Sequence, residues 1–152
     1  MTWIFNNKPI SEDDIPASAV GFIYIIYCPD GTKYLGKKLL TKAAYKTVNG
    51  KRKKIRKPSD WQDYWSSSPL LLEEMAQSDL SLYKREIVLF CSSKGLLNYA
   101  EENLQHSLGV LHSTHWKNGN IRSRLYKSRI YGKPEIAKLA AIVRSHSLPP
   151  CE

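Results

Sequence analysis

Residues 21–36 read GFIYIIYCPDGTKYLG. Two extended runs rich in β-branched and aromatic residues flank the turn sequence PDG at residues 29–31, which predicts a β-hairpin. A three-residue loop would use the proline at its fixed φ and the glycine as the left-handed residue. That loop pairs Cys28 with Thr32 and sets the register of the whole hairpin.

The register determines which side chains share a face. With the three-residue loop, Tyr24 lies opposite Gly36, so that Tyr24, Tyr34 and Lys38 project from one side of the hairpin. A two-residue loop would instead put the two tyrosines on opposite faces. Because Gly36 has no side chain, the predicted register leaves an opening beside Tyr24.

The composition indicates one domain, residues 1–152, with a polyanionic partner. The chain has 23 Lys plus Arg against 14 Asp plus Glu, a net charge of +9, and its apolar fraction of 42% excludes a wholly disordered chain. Nucleic acid is the leading partner, ahead of an anionic membrane surface. No stretch reaches the roughly 20 apolar residues of a spanning helix, and the N-terminus lacks a signal-peptide pattern, so we expect a cytoplasmic, non-secreted protein.

The chain offers little for zinc or disulfide chemistry. Its cysteines, Cys28, Cys91 and Cys151, are few, odd in number and widely separated, with no CxxC pair. His112 and His115 have a ligand-like spacing without a second ligand pair nearby, so loop histidines are the simpler interpretation.

Residues 37–57 form a basic excursion that follows the hairpin. They contain ten basic residues and no acid, and Asn49-Gly50 interrupts them. Since the excursion leaves directly from the Tyr34 strand, we expect it to bind backbone phosphates rather than form a merely solvated loop. The residues expected to do so are Lys37, Lys42, Lys46, Lys51, Arg52, Lys53 and Lys54.

The remaining elements are predicted from periodicity and capping. Residues 1–19 suggest an edge segment, and residues 83–91 read as a third strand. Ser68 and Pro69 suggest the start of a helix, and a terminal helix begins near Pro134 after a basic segment from Arg122. The rings of Trp61, Tyr64 and Trp65 have helical spacing and are taken as core.

Glu101 stands out on a helix predicted over residues 97–108. At about 100° per residue, Glu101 lies beside the apolar stripe and Glu102 near the solvent side. An inward carboxylate requires a cation, a donor network or a metal ion. An ordinary salt bridge at the edge of the stripe is the alternative.

Taken together, GFIY at residues 21–24, YLG at residues 34–36 and the later Glu101 resemble the GIY-YIG nuclease family. The resemblance covers about residues 21–120, and the basic pair after YLG and the aromatic-serine stretch at residues 61–68 look most like its phage-encoded, homing-endonuclease-like branch. It implies an α/β fold of the α+β type, with a small three-stranded antiparallel sheet flanked by helices. The catalytic core would span residues 20–120, with a basic helical tail at 121–152.

The resemblance also implies hydrolysis of a DNA phosphodiester with one divalent ion, Mg²⁺ or Mn²⁺, and no small-molecule cofactor. The matching positions are Tyr24 and Tyr34 (motif tyrosines, one of which helps deprotonate the water), Glu101 (metal-binding glutamate) and Asn118 (supporting asparagine). The family usually has an arginine eight residues after the second motif, where this chain has Ala44. Lys38 is the expected substitute because it shares the hairpin face with the tyrosines.

Two functions therefore compete: a metal-dependent DNA endonuclease, and a non-catalytic module that binds nucleic acid through its charge. Charge alone fits both functions. Convergence of Tyr24, Tyr34 and Glu101 is required only by the first. The sequence does not indicate an oligomeric state.

Overall fold

The computed structural model describes residues 1–111, 113–121 and 132–146. Within them the strands are β1 (Ile4–Phe5), β2 (Lys8–Pro9), β3 (Gly21–Tyr27), β4 (Lys33–Leu39), β5 (Thr41–Val48), β6 (Lys51–Pro58) and β7 (Lys84–Cys91). The helices are α1 (Pro69–Ala76), α2 (Lys94–Ser107) and α3 (Pro134–His146), with short 3₁₀ turns at Glu12–Asp14 and Leu80–Leu82. Half of the predicted basic tail, at residues 122–131 and 147–152, lies outside the described residues, as does His112.

The β3–β4 hairpin has the register predicted from its loop. Tyr24 lies opposite Gly36, and the Cys28 N–H donates to the Thr32 carbonyl over 2.9 Å. Gly31 takes φ +85°, the left-handed conformation that the loop requires. The three-residue loop is therefore confirmed.

The sheet is larger than expected. Five strands lie in the order β2-β1-β7-β3-β4 instead of three, and the short β1 pairs in parallel with β7, so the sheet is mixed. Trp3 explains the addition: its ring is buried against Phe22 and Tyr24, and its indole N–H donates to the Trp61 carbonyl over 2.7 Å. Burying that ring draws the N-terminal segment onto the sheet edge.

Strand β3 is buried on both faces because both faces of the sheet are covered. Phe22 and Tyr24 point into a cluster formed with α1 and residues 59–68. Ile23 and Ile25 point the other way, into a cluster formed with α2 and α3. Strand β4 lies at one edge of the sheet, so its free side can meet groups from both layers.

The basic excursion is a second hairpin rather than a loop. Strands β5 and β6 pair over their full lengths, and Asn49 and Gly50 both have positive φ, as a two-residue type I′ turn requires. Every basic side chain on it is exposed. The predicted excursion at residues 37–57 therefore comprises the end of β4 and most of this hairpin, and the Asn49-Gly50 pair that interrupts it is the hairpin turn.

Capping residues explain where the first two helices begin. The Ser68 hydroxyl accepts from the Leu71 N–H ahead of Pro69, as predicted. Helix α2 begins at Lys94, three residues before the predicted start, because Ser93 caps it by accepting from the Leu96 N–H over 3.1 Å. No helix in the described part of the chain is long and apolar enough to cross a membrane.

Replacing Gly36 by alanine should destabilise the fold. A Cβ at this position would overlap the hydroxyl and ring of Tyr24. Since Tyr24 is fully buried, its ring has little room to yield, and we expect a loss of about 1–3 kcal/mol in urea denaturation. Gly119→Ala is the matched control, because a Cβ there meets nothing within 4 Å, and it should change stability by less than about 1 kcal/mol. Equal losses in the two variants would contradict this account.

Candidate active site

A cavity of about 300 Å³ opens beside the edge strand β4. It collects side chains from β4, from the segment before α1, from α2 and from the segment after α2. The lining residues are Tyr34, Lys37, Tyr64, Ser67, Glu101, Gln105 and Asn120. We call it the reactive cavity.

The two motif tyrosines lie side by side on one face of the sheet. Their ring centroids are 6.3 Å apart, with the planes inclined by 34°. Tyr34 lines the reactive cavity, and its hydroxyl lies 3.4 Å from the Ser67 hydroxyl. Tyr24 is fully buried next to it.

The hydroxyl of Tyr24 has an unusual environment. It makes no hydrogen bond of normal geometry with the described residues, although Tyr64 and Ser66 are polar neighbours. Burial, reinforced by Tyr64 and Tyr34, raises the pKa of Tyr24 well above its ordinary value. Tyr24 is therefore a neutral phenol near pH 7.

Glu101 reaches the same cavity from the other layer. Helix α2 covers the face opposite the tyrosines, but Glu101 extends to the free edge of β4, where its carboxylate lies 3.1 Å from the Lys37 ammonium. Its side chain is 14% exposed, so it is turned inward as expected. Glu102 pairs with His106 at 3.7 Å and does not line the cavity, but its side chain is only 20% exposed, so the prediction that it faces solvent was wrong.

Burial raises the pKa of Glu101 above the usual glutamate value, and the Lys37 ammonium and backbone N–H oppose that rise. Lys37 also donates to the Asn98 side chain over 2.8 Å, which fixes its position between the two groups. Lys37 therefore favours the ionised form of the Glu101 carboxylate.

Lys38 shares the tyrosine face, as the register predicts, but lies beside Tyr64. Its ammonium is 3.8 Å from the Tyr64 ring centroid and 2.6 Å from an Asp60 carboxylate oxygen. The hydrogen bond from Lys38 lowers the pKa of Asp60. Of the two adjacent lysines, Lys37 is the one that lines the reactive cavity. Ala44 lies on β5, outside that lining.

Asn118 braces the strand that carries Tyr34. Its side-chain oxygen accepts from the Leu35 N–H over 3.0 Å, and its amide nitrogen donates to the Leu35 carbonyl over 2.7 Å. Lys117 adds ion pairs to Glu74 at 2.6 Å and Asp30 at 3.0 Å. Because both groups of the Asn118 amide are engaged, its geometry is that of a positioning residue.

Tyr64 is a cavity residue that the sequence interpretation assigned to the core. Residues 60–65 are irregular rather than helical, so Trp61 is buried while Tyr64 is half-buried with its ring 5.9 Å from that of Tyr24. Burial raises the pKa of Tyr64. The aromatic-serine stretch at residues 61–68 was the sequence signal that could have identified it.

The other predicted phosphate-binding residues stand on the β5–β6 hairpin and do not line the reactive cavity. They are Lys42, Lys46, Lys51, Arg52, Lys53 and Lys54. Among the described residues, no group of three or more His, Cys, Asp or Glu side chains is placed to hold a metal ion. Glu101 is the single carboxylate among the described residues that line the reactive cavity.

Comparison with protein-family models identifies the family of the chain. Residues 3–121 match the model described as "Putative endonuclease segE, GIY-YIG domain". No curated protein and no solved structure matches the chain. The family match spans most of the 152 residues and includes both tyrosine motifs and Glu101. The chain therefore belongs to the GIY-YIG nuclease family, in its segE-type branch.

Proposed function

We propose that the protein is a metal-dependent DNA endonuclease that hydrolyses a phosphodiester at the reactive cavity. The observation that carries the proposal is the meeting of Tyr34, Lys37 and Glu101 in one cavity, although they project from different layers. A basic nucleic-acid-binding module has no need for this convergence. Family membership supports DNA as the substrate.

Tyr34 is the better candidate for the group that accepts a proton from the attacking water. It lines the cavity, whereas Tyr24 is fully buried and its raised pKa keeps it protonated. Lys37 is a cation that lines the same cavity. Tyr24 then orients Tyr34 from beneath.

The donor set fits one hard divalent ion, Mg²⁺ or Mn²⁺. Glu101 supplies one carboxylate, Tyr34 and Asn120 add oxygen atoms to the lining, and the unpartnered Tyr24 hydroxyl lies behind it. Mg²⁺ is commonly held by one or two carboxylates together with waters and substrate phosphate. When bound, such an ion would stabilise negative charge on the phosphoryl oxygens and the leaving group.

The remaining predicted residues have supporting roles in this proposal. Lys38 lies beside Tyr64, where its charge can act on a phosphoryl oxygen, and Asn118 holds β4 in place. The β5–β6 hairpin, with its exposed lysines and Arg52, supplies positive charge that attracts the DNA backbone. The same hairpin is what favours the alternative function, a non-catalytic binding module.

Removing the charge of Glu101 should abolish cleavage. Glu101→Gln keeps the size of the side chain but removes the carboxylate. Nicking of supercoiled plasmid with Mg²⁺ should therefore fall by more than about 100-fold, which exceeds the loss typical of mutating a residue that only hydrogen-bonds to a metal ligand.

Tyr34→Phe should lower the single-turnover rate by about 10² to 10⁴, as expected for loss of a general base. EDTA should stop cleavage by the unmodified chain.

Glu102→Gln is the matched control for this experiment. It removes a carboxylate from the next position of the same helix, outside the cavity, and should leave nicking within about twofold of the parent rate. Full activity in Glu101→Gln would exclude the proposed site. DNA binding without nicking by the parent chain would favour the binding module.

The acid limb of the pH–rate profile should depend on Lys37. Glu101 must be ionised to hold a cation, so activity should rise with pH through its pKa. Lys37 opposes the rise of that pKa, and Lys37→Met should move the limb to higher pH. Lys38→Met should lower the rate without moving the midpoint, because Lys38 faces Asp60 and Tyr64. An unmoved midpoint in Lys37→Met would show that another group controls the limb.

A further inference from the structure

A second, larger cavity of about 660 Å³ adjoins the reactive cavity. It lies between the end of β4, the β5–β6 hairpin and the first turn of α2, and we call it the basic cleft. The cations that line it are Lys37, Lys38, Lys42, Lys54, Arg56 and Lys94. Asp60 is the acid of its lining, and that carboxylate is paired with Lys38. The cleft therefore has a large excess of positive charge.

Lys37 lines both the reactive cavity and the basic cleft. Strand β4 runs along both, with Tyr34 at one end of the path and Leu39 at the other. At about 3.3 Å per residue, these five steps span roughly 17 Å. An extended polyanion could pass from one cavity into the other along this edge.

The two faces of the β5–β6 hairpin are not equivalent. Cross-strand partners point to the same side, so the pairs Ala43–Arg56, Tyr45–Lys54 and Thr47–Arg52 share one face. That face meets the cleft through Ala43, Lys54 and Arg56. The pairs Lys42–Lys57, Lys46–Lys53 and Val48–Lys51 point to the opposite side, although Lys42, near the start of β5, also lines the cleft. We call these the cleft face and the outer face.

Lys94 supports the interpretation of the cleft as an anion site. It occupies the first position of α2, where the helix dipole is positive and an acidic residue would be stabilising. The first turn of α2 contains no acid. Lys94 lines the cleft together with Lys54 and Arg56. An anion bound between these three cations would offset the unfavourable interaction of Lys94 with the helix dipole.

We propose that the basic cleft binds the sugar–phosphate backbone of one strand of the DNA substrate, continuing from the reactive cavity past Lys37. This inference rests on the proposed function for the identity of the substrate. Lys54, Arg56 and Lys94 contact phosphates in the cleft, whereas Lys46 and Lys53 on the outer face do not. The outer face carries the larger number of exposed cations, so electrostatic attraction alone would not favour the cleft face.

Two charge-matched double variants separate the cleft face from the outer face. Lys54→Gln with Lys94→Gln removes two cleft cations, and Lys46→Gln with Lys53→Gln removes a directly opposed outer pair. Binding to a labelled 30-base-pair duplex is measured in EDTA between 50 and 200 mM salt. Since each phosphate contact contributes about −0.9 to the slope of log K against log salt, the cleft variant should flatten the slope by about 1.8. The outer variant should change it by less than half as much.

Lys94→Glu supplies a readout that a structural role would not produce. An acid at the first position of α2 should leave the thermal midpoint unchanged or raise it, while lowering DNA affinity by more than tenfold at low salt. Equal slope changes in the two double variants, or unchanged affinity in Lys94→Glu, would overturn the proposal.

Plasmid nicking by the parent chain, measured in parallel with Mg²⁺, tests the proposed function separately. If the parent chain nicks DNA and the two double variants have equal salt slopes, the cleft proposal is rejected and the nuclease proposal is retained. If only the cleft variant has a flattened slope and the parent chain does not nick DNA, the cleft is retained as a DNA-binding site and the nuclease proposal is rejected.

Discussion

The pairing of Tyr24 with Gly36 is the constraint on which the rest of the site depends. The Tyr24 ring occupies the space that any larger residue at position 36 would need, so this pair holds β3 and β4 in one register. Successive residues of β4 then alternate between the layers. Tyr34 and Lys38 project towards the tyrosine face, and Lys37 projects towards α2 and Glu101.

The edge position of β4 turns this alternation into a single site. In a central strand, groups on opposite faces would be separated by a neighbouring strand, but no described strand lies on the outer side of β4. The segment at residues 115–118 covers only the first half of that side, through backbone bonds to Lys33 and the Asn118 contacts with Leu35. Beyond Leu35 the side of the strand borders the two cavities, and Glu101 can reach it there.

Local signals predicted the parts of the fold that local chemistry controls. Pro29 and Gly31 determined the hairpin loop, and Ser68 with Pro69 marked the start of α1. Strands β1 and β2 have two residues each, too few for any periodicity, and their pairing depends on the burial of Trp3 by groups distant in sequence. In the β5–β6 hairpin, lysines on both faces conceal the alternation that would have indicated strands.

The candidate site was predictable in its residue types and less so in its arrangement. The inward orientation of Glu101 followed from helical geometry. Its ion pair with Lys37 rather than Lys38 depends on the position of α2 beside the edge of the sheet. Tyr64 has the same local pattern as Trp61, and only the irregular backbone between them separates a cavity residue from a core residue. A strand edge left partly uncovered is also a surface on which another chain could add a strand, and lysines on such an edge oppose that pairing. Lys37 and Lys38 stand on the open half of β4, where lysine side chains disfavour the addition of a second strand.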